Sequence, residues 1–347
     1  MAQPAEDDKT QAPRLSVCVI AYNSGPTLKA CLEHLAAQTF RDFETLVIDN
    51  ASPDAGDAEI AAGFSGVRLI RNVENLGFAG AGNQGARLAR GRWHVLLNPD
   101  AYAEPDWLAE LVAASERHPA VKSFTSVQLA EDQPGYLDGL GDVMTIFGIP
   151  YRGGYLSRDV GQAREGEVFS PCGASMMIDR ALFQDLGGFD EDFFCYGEDV
   201  DLGYRLQLAS QPTLLVPKAV IRHVGSASTG GRKSEFAVFH GTRNRFWVLF
   251  KNTPALLLPL VVPLHLMALT AIYLRRENRP HARLIWTAVK AAFAGAPKMF
   301  RSRAVVQRGR VAGLMQIARA LTWNPRDLSG RRAVIRPLRS PTRSTGA

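Results

Sequence analysis

Cysteine is scarce in this chain of 347 residues: it has four, with no CxxC motif and no regular spacing. This excludes a small disulfide-rich secreted domain, because such domains depend on a cysteine framework. A secretory signal is also absent from the start, since residues 1–13 are polar and contain proline. We therefore expect a disordered lead-in over residues 1–13, a cytoplasmic location, and reduced thiols at Cys18, Cys31, Cys172 and Cys195.

Acidic residues are nearly missing from the C-terminal third. Residues 236–347 contain 20 Lys and Arg but only 2 Asp and Glu, whereas residues 1–235 contain 20 and 32. A basic region of this kind binds nucleic acid or an anionic membrane surface. An acidic body joined to a basic region predicts two parts with different roles.

Charge is absent altogether from Pro254–Leu274, an apolar run of 21 residues that Lys251 precedes and two arginines follow. This composition favours a membrane over nucleic acid as the partner. The run is long enough to cross a bilayer, but Pro259, Pro263 and His265 interrupt it. A transmembrane span, an interfacial or re-entrant hairpin, and a helix packed on the body or on another subunit all stay open.

The chain does contain several short apolar runs, each of which is followed by a helical pattern. The first four runs predict strands over Leu15–Ala21, Glu44–Ile48, Val67–Ile70 and Trp93–Leu97. Strands that alternate with helices predict an α/β fold with a mostly parallel central sheet. Ligands of such sheets bind beyond the carboxyl ends of the strands, where this chain has Tyr22-Asn23, Asp49-Asn50, Asn75–Phe78 and Asn98–Asp100.

One motif points to a different chemistry. Gly80–Gly85 matches the dinucleotide-binding pattern G-x-G-x-x-G, and Asp100 follows at a suitable distance. In dinucleotide-binding proteins these glycines open a helix directly after the first strand. Here they follow the third predicted strand, and Asn72–Gly77 lie in between, so hydride transfer is disfavoured.

The segment from Gly187 to Asp201 carries six carboxylates within twelve residues, interleaved with aromatic residues and glycines. One interpretation is an acidic loop that caps a helix beginning near Glu198 and Asp199. The other is a rigid, partly dry pocket in which one carboxylate acts as a base. The polar clusters at the strand ends favour the second interpretation.

Together these clusters meet the needs of group transfer from a nucleoside-diphosphate donor. Tyr22 could stack on the nucleobase while Asp49 accepts its N–H group. Asp100, with a divalent ion and His223 as a further ligand, could balance the charge of the leaving diphosphate. Asp199 could take the proton of the acceptor. Taken alone, a histidine such as His223 more often has a structural role, with its hydrogen bonds satisfied.

These segments resemble family 2 glycosyltransferases, which share the GT-A nucleotide-sugar-binding fold. The resemblance covers residues 14–250 with its motifs in family order. Arg243–Arg245 and Leu249–Asn252 also resemble a bacterial rhamnosyltransferase-type branch. The segments that carry the resemblance are Val19–Asn23, Val47–Ser52, Asn75–Ala79, Leu97–Asp100, Gly188–Glu191, Glu198–Arg205 and His223–Ser226.

The resemblance implies an inverting transferase with Asp199 as general base and Glu198 supporting it. It implies Mg²⁺ or Mn²⁺ at Asp100 and His223, although Asn98 replaces the first acid of the family's Asp-x-Asp pattern. The weaker charge implies a loosely held ion. The implied donor site comprises Tyr22, Asn23, Asp49, Asn50, Asn75, Gly77, Phe78, Asn83, Asn98 and Asp100, and the acceptor side Gly173, Ala174 and Asp201.

We thus expect a GT-A domain over residues 14–235, a helical, basic, membrane-associating extension over 236–322, and a disordered basic tail over 323–347. The expected reaction moves rhamnose from dTDP-rhamnose to a glycan or polyprenyl-diphosphate-linked acceptor in envelope polysaccharide synthesis. The expected location is the cytoplasmic face of the plasma membrane, either as a peripheral protein or with a short C-terminal membrane segment. No nucleic-acid partner is expected. A UDP-sugar-dependent hexosyl- or galactofuranosyltransferase, a catalytically silent sugar-nucleotide-binding module, and a homo-oligomer stay open.

Overall fold

The computed structural model of the protein describes residues 12–225, 234–273 and 280–339. The predicted lead-in falls outside the described residues except for its last two positions. Ser226 of the last motif, the end of the apolar run with its two arginines, and residues 340–347 of the predicted tail also lie outside them.

Ten strands of the described residues form one sheet, with the order β10-β12-β6-β11-β4-β1-β2-β3 and with β5 and β7 pairing to β12 and β6. Strands β1 to β4, β6 and β12 run in one direction, which confirms the expected mostly parallel α/β sheet. The strands are β1 (Leu15–Ala21), β2 (Phe43–Asp49), β3 (Val67–Arg71), β4 (Trp93–Leu97), β5 (Ala101–Ala103), β6 (Ser123–Ala130), β7 (Leu137–Gly139), β10 (Gly166–Val168), β11 (Ser175–Asp179) and β12 (Thr213–His223); β8 (Asp142–Met144) and β9 (Pro150–Arg152) form a separate hairpin.

Helices cover both faces of the sheet and continue beyond it. They are α1 (Pro26–Ala36), α2 (Gly56–Ala62), α3 (Gly77–Leu88), α4 (Trp107–Arg117), α5 (Arg180–Asp185), α6 (Glu198–Leu208), α7 (Glu235–Asn252), α8 (Leu258–Tyr273), α9 (Ala282–Arg308), α10 (Leu314–Ala320) and α11 (Pro325–Ser329). The last five form the expected helical C-terminal region.

The register of the sheet brings the polar clusters together. Ala21, the last residue of β1, lies opposite Asp49 of β2, and Val19 lies opposite Leu97 of β4. Because these parallel strands end at one edge, the residues that follow them line one crevice.

The glycines of the G-x-G-x-x-G match lie in the middle of the sequence of α3 and serve packing. A Cβ atom at Gly85 would lie 2.4 Å from Cys18 Sγ in β1, and one at Gly82 would lie 2.9 Å from the Phe189 ring. Both distances are shorter than real side chains allow. The helix can therefore approach β1 and the loop after α5 only without side chains at these positions.

The tail differs from its prediction over the residues that the structure describes. Residues 323–339 contain α11 and then cross the body, where the backbone of Arg336 bridges Glu167 of β10. Arg339 forms an ion pair with the carboxylate of Glu167. Glu167 of the body thus binds Arg339 of the tail, an interaction that the composition of the tail alone does not reveal.

Candidate active site

A cavity of about 530 Å³ lies at the carboxyl edge of the parallel strands. It contains residues from each polar strand-end cluster and from the acidic segment. Its wall is formed by Ile20, Tyr22, Asn50, Asn75, Gly77, Phe78, Asn98, Pro99, Asp100, Arg152, Gly173, Phe194, Cys195, Tyr196, Gly197, Glu198, Asp199, His223 and Phe236.

Asp199 lies in the first turn of α6, which begins after Gly197 in a left-handed conformation with φ 88°. Its carboxylate accepts hydrogen bonds from the backbone N–H groups of Gly173 (3.0 Å) and Val200 (2.8 Å). Burial raises the pKa of Asp199, although these two hydrogen bonds and the charge of Arg152 oppose the rise. A fixed carboxylate with a raised pKa suits a general base.

Glu198 is buried beside Asp199, and its Oε2 atom has no hydrogen-bond partner among the residues that the structure describes. Burial, and then the charge of Asp199, raise the pKa of Glu198 well above its usual value. The larger rise at Glu198 favours its neutral form, and with it a negative charge on Asp199.

The predicted metal ligands meet in this cavity. His223 Nε2 lies 3.2 Å from Asp100 Oδ1 and 3.4 Å from the side-chain amide of Asn98. Asn98 Oδ1 is buried and has no hydrogen-bond partner among the described residues. An imidazole, a carboxylate and an amide oxygen form a donor set that fits Mg²⁺ or Mn²⁺.

The other ring nitrogen of His223 is held from behind by Asp138, whose Oδ2 lies 2.7 Å from Nδ1. Burial lowers the pKa of His223, but the hydrogen bonds to Asp100 and Asp138 outweigh it, and the pKa is raised. A carboxylate in this position fixes the ring and its tautomer, so that Nε2 faces the ligand site.

We predict that Asp138→Asn weakens Mn²⁺ binding about 10–100-fold, because the ring of His223 loses the carboxylate that orients it. Titration of Mn²⁺ by electron paramagnetic resonance, with a nucleoside diphosphate present, measures this affinity directly. Asp132→Asn, an exposed change nearby, is the matched control. Equal Mn²⁺ affinity in the two variants would contradict the role of Asp138.

A second group of possible ligands lies deeper. Single ligand atoms of Asp142, Cys172 and Asp199 lie within 4.8 Å of one another. Burial raises the pKa of the Cys172 thiol to about 12, so the thiol stays protonated and is a poor ligand for an oxygen-seeking ion. The pair of Asp100 and His223 is the better candidate.

At the nucleotide end of the cavity, Tyr22 is partly exposed, as a stacking platform must be. Asn50 organises the adjoining turn, because its amide donates to Asn75 Oδ1 (2.9 Å) and to the Gly77 carbonyl (3.2 Å). Asp49 lies just behind the wall, where its Oδ1 accepts the N–H of Ser52. The turn of Gly77 has a φ of 69°, and a Cβ there would lie 2.4 Å from the carbonyl oxygen of Phe194.

Four other predicted site residues lie away from the cavity wall. Asn83 is buried in α3 and bonds to the backbone of Phe189 and to Glu191. Asp201 lies on the opposite face of α6 from the cavity, in ion pairs with cationic side chains. Asn23 is exposed, and Ala174 contributes its carbonyl to the N–H of Asn98. Of the predicted acceptor side, only Gly173 reaches the cavity.

Comparison with known sequences identifies the family. The family model described as Glycosyl transferase family 2 matches residues 16–187. The N-acetylglucosaminyl-diphospho-decaprenol L-rhamnosyltransferase of Mycobacterium tuberculosis (strain H37Rv) is 28% identical over 239 aligned positions, which cover 62% of this chain and 78% of that protein. The chain belongs to glycosyltransferase family 2.

A further relative and two solved structures agree with this family assignment. The O-antigen biosynthesis protein RfbC of Myxococcus xanthus is 26% identical over 233 positions, covering 62% of this chain and 18% of that protein. GalNAc-T7, solved with UDP, GalNAc and Mn²⁺, superposes with a TM-score of 0.55 at 19% identity, over 70% of this chain and 48% of that one. The mannosyltransferase PcManGT from Pyrobaculum calidifontis, solved with GDP-Man and Mn²⁺, has a TM-score of 0.52 at 20% identity, over 89% and 87%. These structural likenesses confirm the GT-A fold.

In this glycosyltransferase, α7 holds the acidic loop in place. The side-chain amide of Asn244 donates to the carbonyl oxygens of Phe193 (2.9 Å), Cys195 (2.9 Å) and Tyr196 (2.6 Å). Lys251 binds Asp190 at the start of the same loop. The motif residues of α7 therefore position the loop that precedes Asp199.

Sequence reasoning missed several residues of the glycosyltransferase site. Asp138 and Arg152 come from the short strands β7 and β9, in a segment that shows no clear period. Phe236 comes from α7, far along the chain from the acidic segment. The one available signal was the density of Gly, Tyr and charge over residues 130–168.

Proposed function

We propose that this glycosyltransferase is an inverting enzyme in which Asp199 is the general base. The observation that carries the proposal is the place of its carboxylate, which lines the same cavity as Asp100 and His223 and is fixed by the N–H of Gly173. Sugar transfer from a nucleoside diphosphate needs a group that accepts the proton of the acceptor and a positive charge beside the leaving diphosphate. A cavity with a base and a candidate site for a divalent ion can supply both.

In the proposed reaction the acceptor hydroxyl attacks the anomeric carbon of the donor sugar. The new C–O bond forms as the bond to the diphosphate breaks on the opposite face, which inverts the configuration. Asp199 takes the hydroxyl proton, and the nucleoside diphosphate leaves with the electron pair. Mg²⁺ or Mn²⁺ held by Asp100, His223 and the Asn98 amide would neutralise charge on that leaving group.

We propose dTDP-rhamnose as the donor and a lipid-linked sugar as the acceptor. Support comes from the motif residues of α7 and from the mycobacterial relative, an N-acetylglucosaminyl-diphospho-decaprenol L-rhamnosyltransferase. A UDP-sugar is the rival donor, since the described cavity carries no residue that by itself selects thymine.

The thermal stability of the purified protein with dTDP, UDP, GDP or NAD, each with and without Mn²⁺, tests the donor class. A ligand at 100 times its dissociation constant adds about 2.7 kcal/mol to the free energy of unfolding, which raises Tm by a few degrees. We expect dTDP to stabilise most, and more strongly with Mn²⁺. Stabilisation by NAD alone would contradict the proposal, and stabilisation by UDP alone would replace the donor.

We also propose that the helical extension binds the cytoplasmic face of an anionic membrane. One stretch, Ala255–Ile272, is long and apolar enough to cross a membrane by length and composition, with a mean hydropathy of 2.2 and 17% of it buried. In α9, Trp286, Phe293 and Phe300 recur every seven residues, and each of them is at least 50% exposed. Such adjoining apolar faces, beside basic residues, fit an interfacial site.

Replacing two of these exposed side chains tests membrane binding. Each buried apolar side chain contributes about 1.5–3 kcal/mol, so Met267→Glu/Trp286→Glu is expected to weaken binding to phosphatidylglycerol-containing vesicles at least ~10-fold. Flotation with the vesicles measures the bound fraction. Val73→Glu/Val160→Glu, also exposed but on the body, is the matched control. Equal flotation of the two double variants would contradict the proposed surface.

A further inference from the structure

A second, smaller cavity of about 200 Å³ adjoins the main one. The two cavities share Arg152, Tyr196, Gly197 and Asp199. Asp199 therefore lies at their boundary, with the donor cavity on one side and this smaller cavity on the other. A group that enters the smaller cavity can reach the general base without crossing the space proposed for the donor.

The outer wall of the smaller cavity belongs to the C-terminal extension. It consists of Gly241, Asn244, Arg245 and Val248 of α7. Counted from Gly241, the other three follow after three, four and seven positions, which is the pattern of one helix face. The opposite wall comes from the β8–β9 hairpin. The cavity therefore exists only because the extension packs against the body.

Arg245 connects this cavity with the apolar surface. It lines the cavity and also lies close enough to His265 of α8 for an electrostatic interaction. Its neighbour Phe246 contacts the rings of His265 (5.0 Å between centroids) and of the exposed Phe293 (5.7 Å). One helix thus places a cation at the cavity and, next to it, a buried aromatic ring that packs against Phe293 of the proposed membrane surface.

The β8–β9 hairpin also connects the smaller cavity with α8. The carbonyl oxygen of Phe147 accepts a hydrogen bond from His265 Nδ1 at 2.8 Å, and five residues later Arg152 lines both cavities. Five extended residues span at most about 17–18 Å. The contact with α8 and Arg152, at the shared wall of the two cavities, are therefore no farther apart than this span.

We propose that Arg245 binds a phosphate of the acceptor, so that a lipid-linked sugar diphosphate lies with its sugar at Asp199, its phosphates at Arg245 and its chain on α8 and α9. This inference rests on the proposed function and names the binding site of its acceptor. Arginine suits the role because its planar guanidinium binds phosphate through two parallel hydrogen bonds.

The carboxylates of the cavity lie at its inner end and do not oppose such an anion strongly. Burial, and then the charge of Asp199, raise the pKa of Asp142 well above its usual value, which favours its neutral form. Arg152 adds a positive charge beside Asp142, although this charge is shared with Asp138, with which Arg152 forms an ion pair. The remaining negative charge, on Asp199, is the one that the acceptor hydroxyl must approach.

The test uses the full-length protein and two acceptors that carry the same sugar, N-acetylglucosaminyl diphosphofarnesol and neutral octyl N-acetylglucosaminide. Arg245→Gln is expected to raise KM for the diphosphate at least ~10-fold, with KM for the neutral glycoside unchanged. Arg245→Lys should keep part of the difference. Arg41→Gln, which removes the same charge from an exposed position on the body outside both cavities, should leave both values unchanged.

A binding measurement separates this site from the activity itself. Farnesyl diphosphate should bind the wild-type protein more tightly than the Arg245→Gln variant, while dTDP should bind both equally. If the protein transfers sugar to neither acceptor but this difference persists, the proposed function is wrong and the phosphate site stands. Equal losses on both acceptors, or farnesyl diphosphate binding that does not depend on Arg245, would overturn the site.

Discussion

Replacing Asp199 by Asn is expected to lower kcat for sugar transfer by about 10³, because general base catalysis contributes about 10²–10⁴. The amide keeps the size of the side chain, and its oxygen can still accept the N–H of Gly173. Substrate positioning is therefore retained while the proton acceptor is lost. Initial rates at saturating donor and acceptor measure the effect.

The binding of the donor nucleotide supplies the control for this variant. Affinity for dTDP should change by no more than about threefold, since Asp199 removes a proton and does not hold the nucleotide. Glu198→Gln should lower kcat less, because the raised pKa of Glu198 favours its neutral form, which the amide resembles. Activity of Asp199→Asn within tenfold of the wild type would show that another group is the base.

The second large effect is on stability. Lys251→Met is expected to lower the free energy of unfolding by about 3–5 kcal/mol, the usual cost of removing one partner from a buried ion pair. Lys251 Nζ lies 2.7 Å from Asp190 Oδ2 and 2.9 Å from Asp201 Oδ2, and its side chain is 5% exposed. Without it, two carboxylates lose a buried cation. Urea unfolding in detergent measures the change.

Two further comparisons make this prediction specific. Lys29→Met, which removes an exposed lysine, should change the free energy of unfolding by no more than about 0.5 kcal/mol. Lys251→Met combined with Asp201→Asn should cost less than the sum of the two single changes, because the residues interact directly. Equal costs for Lys251→Met and Lys29→Met would mean that the extension does not stabilise the acidic loop.

The same cluster sets the response to acid. Burial would raise the pKa of Asp201, but the charges of Lys251 and Arg205 and the hydrogen bond from Asn252 lower it below the usual value of 3.8. A lowered pKa in the folded state stabilises the fold above the unfolded value, and this contribution is lost as the pH falls through the folded value. Removal of Lys251 therefore has its full effect near neutral pH.

The parallel strands and the place of Asp199 in the cavity wall could be predicted because their signals are local. The β1 and β4 strands have the predicted bounds, since continuous apolar runs between turns are typical of buried parallel strands. The packing role of the glycine motif, in contrast, can be recognised only once α3 is seen to pack on β1. Gly85 is adjacent to Cys18 in space, and nothing near it in the sequence shows this.

The rest of the site depends on contacts between distant parts of the chain. Asp201 and Asp199 belong to the same acidic segment, but two positions along a helix differ by about 200° in direction. One therefore faces the cavity, while the other binds Lys251. Asp138 reaches His223 through strand pairing across a segment without a clear period. The tail was wrongly predicted as disordered up to residue 339, because its partner Glu167 lies far away in the sequence.

The most direct test of the account is transfer itself, with dTDP-rhamnose and UDP-sugars offered separately to the wild-type protein and a lipid-linked N-acetylglucosaminyl diphosphate. Mass spectrometry of the acceptor shows whether a sugar has been added. The account predicts a gain of one deoxyhexose from dTDP-rhamnose, with release of dTDP, and its loss in Asp199→Asn. Nucleotide binding without transfer from any of these donors would contradict it and indicate a catalytically silent binding module.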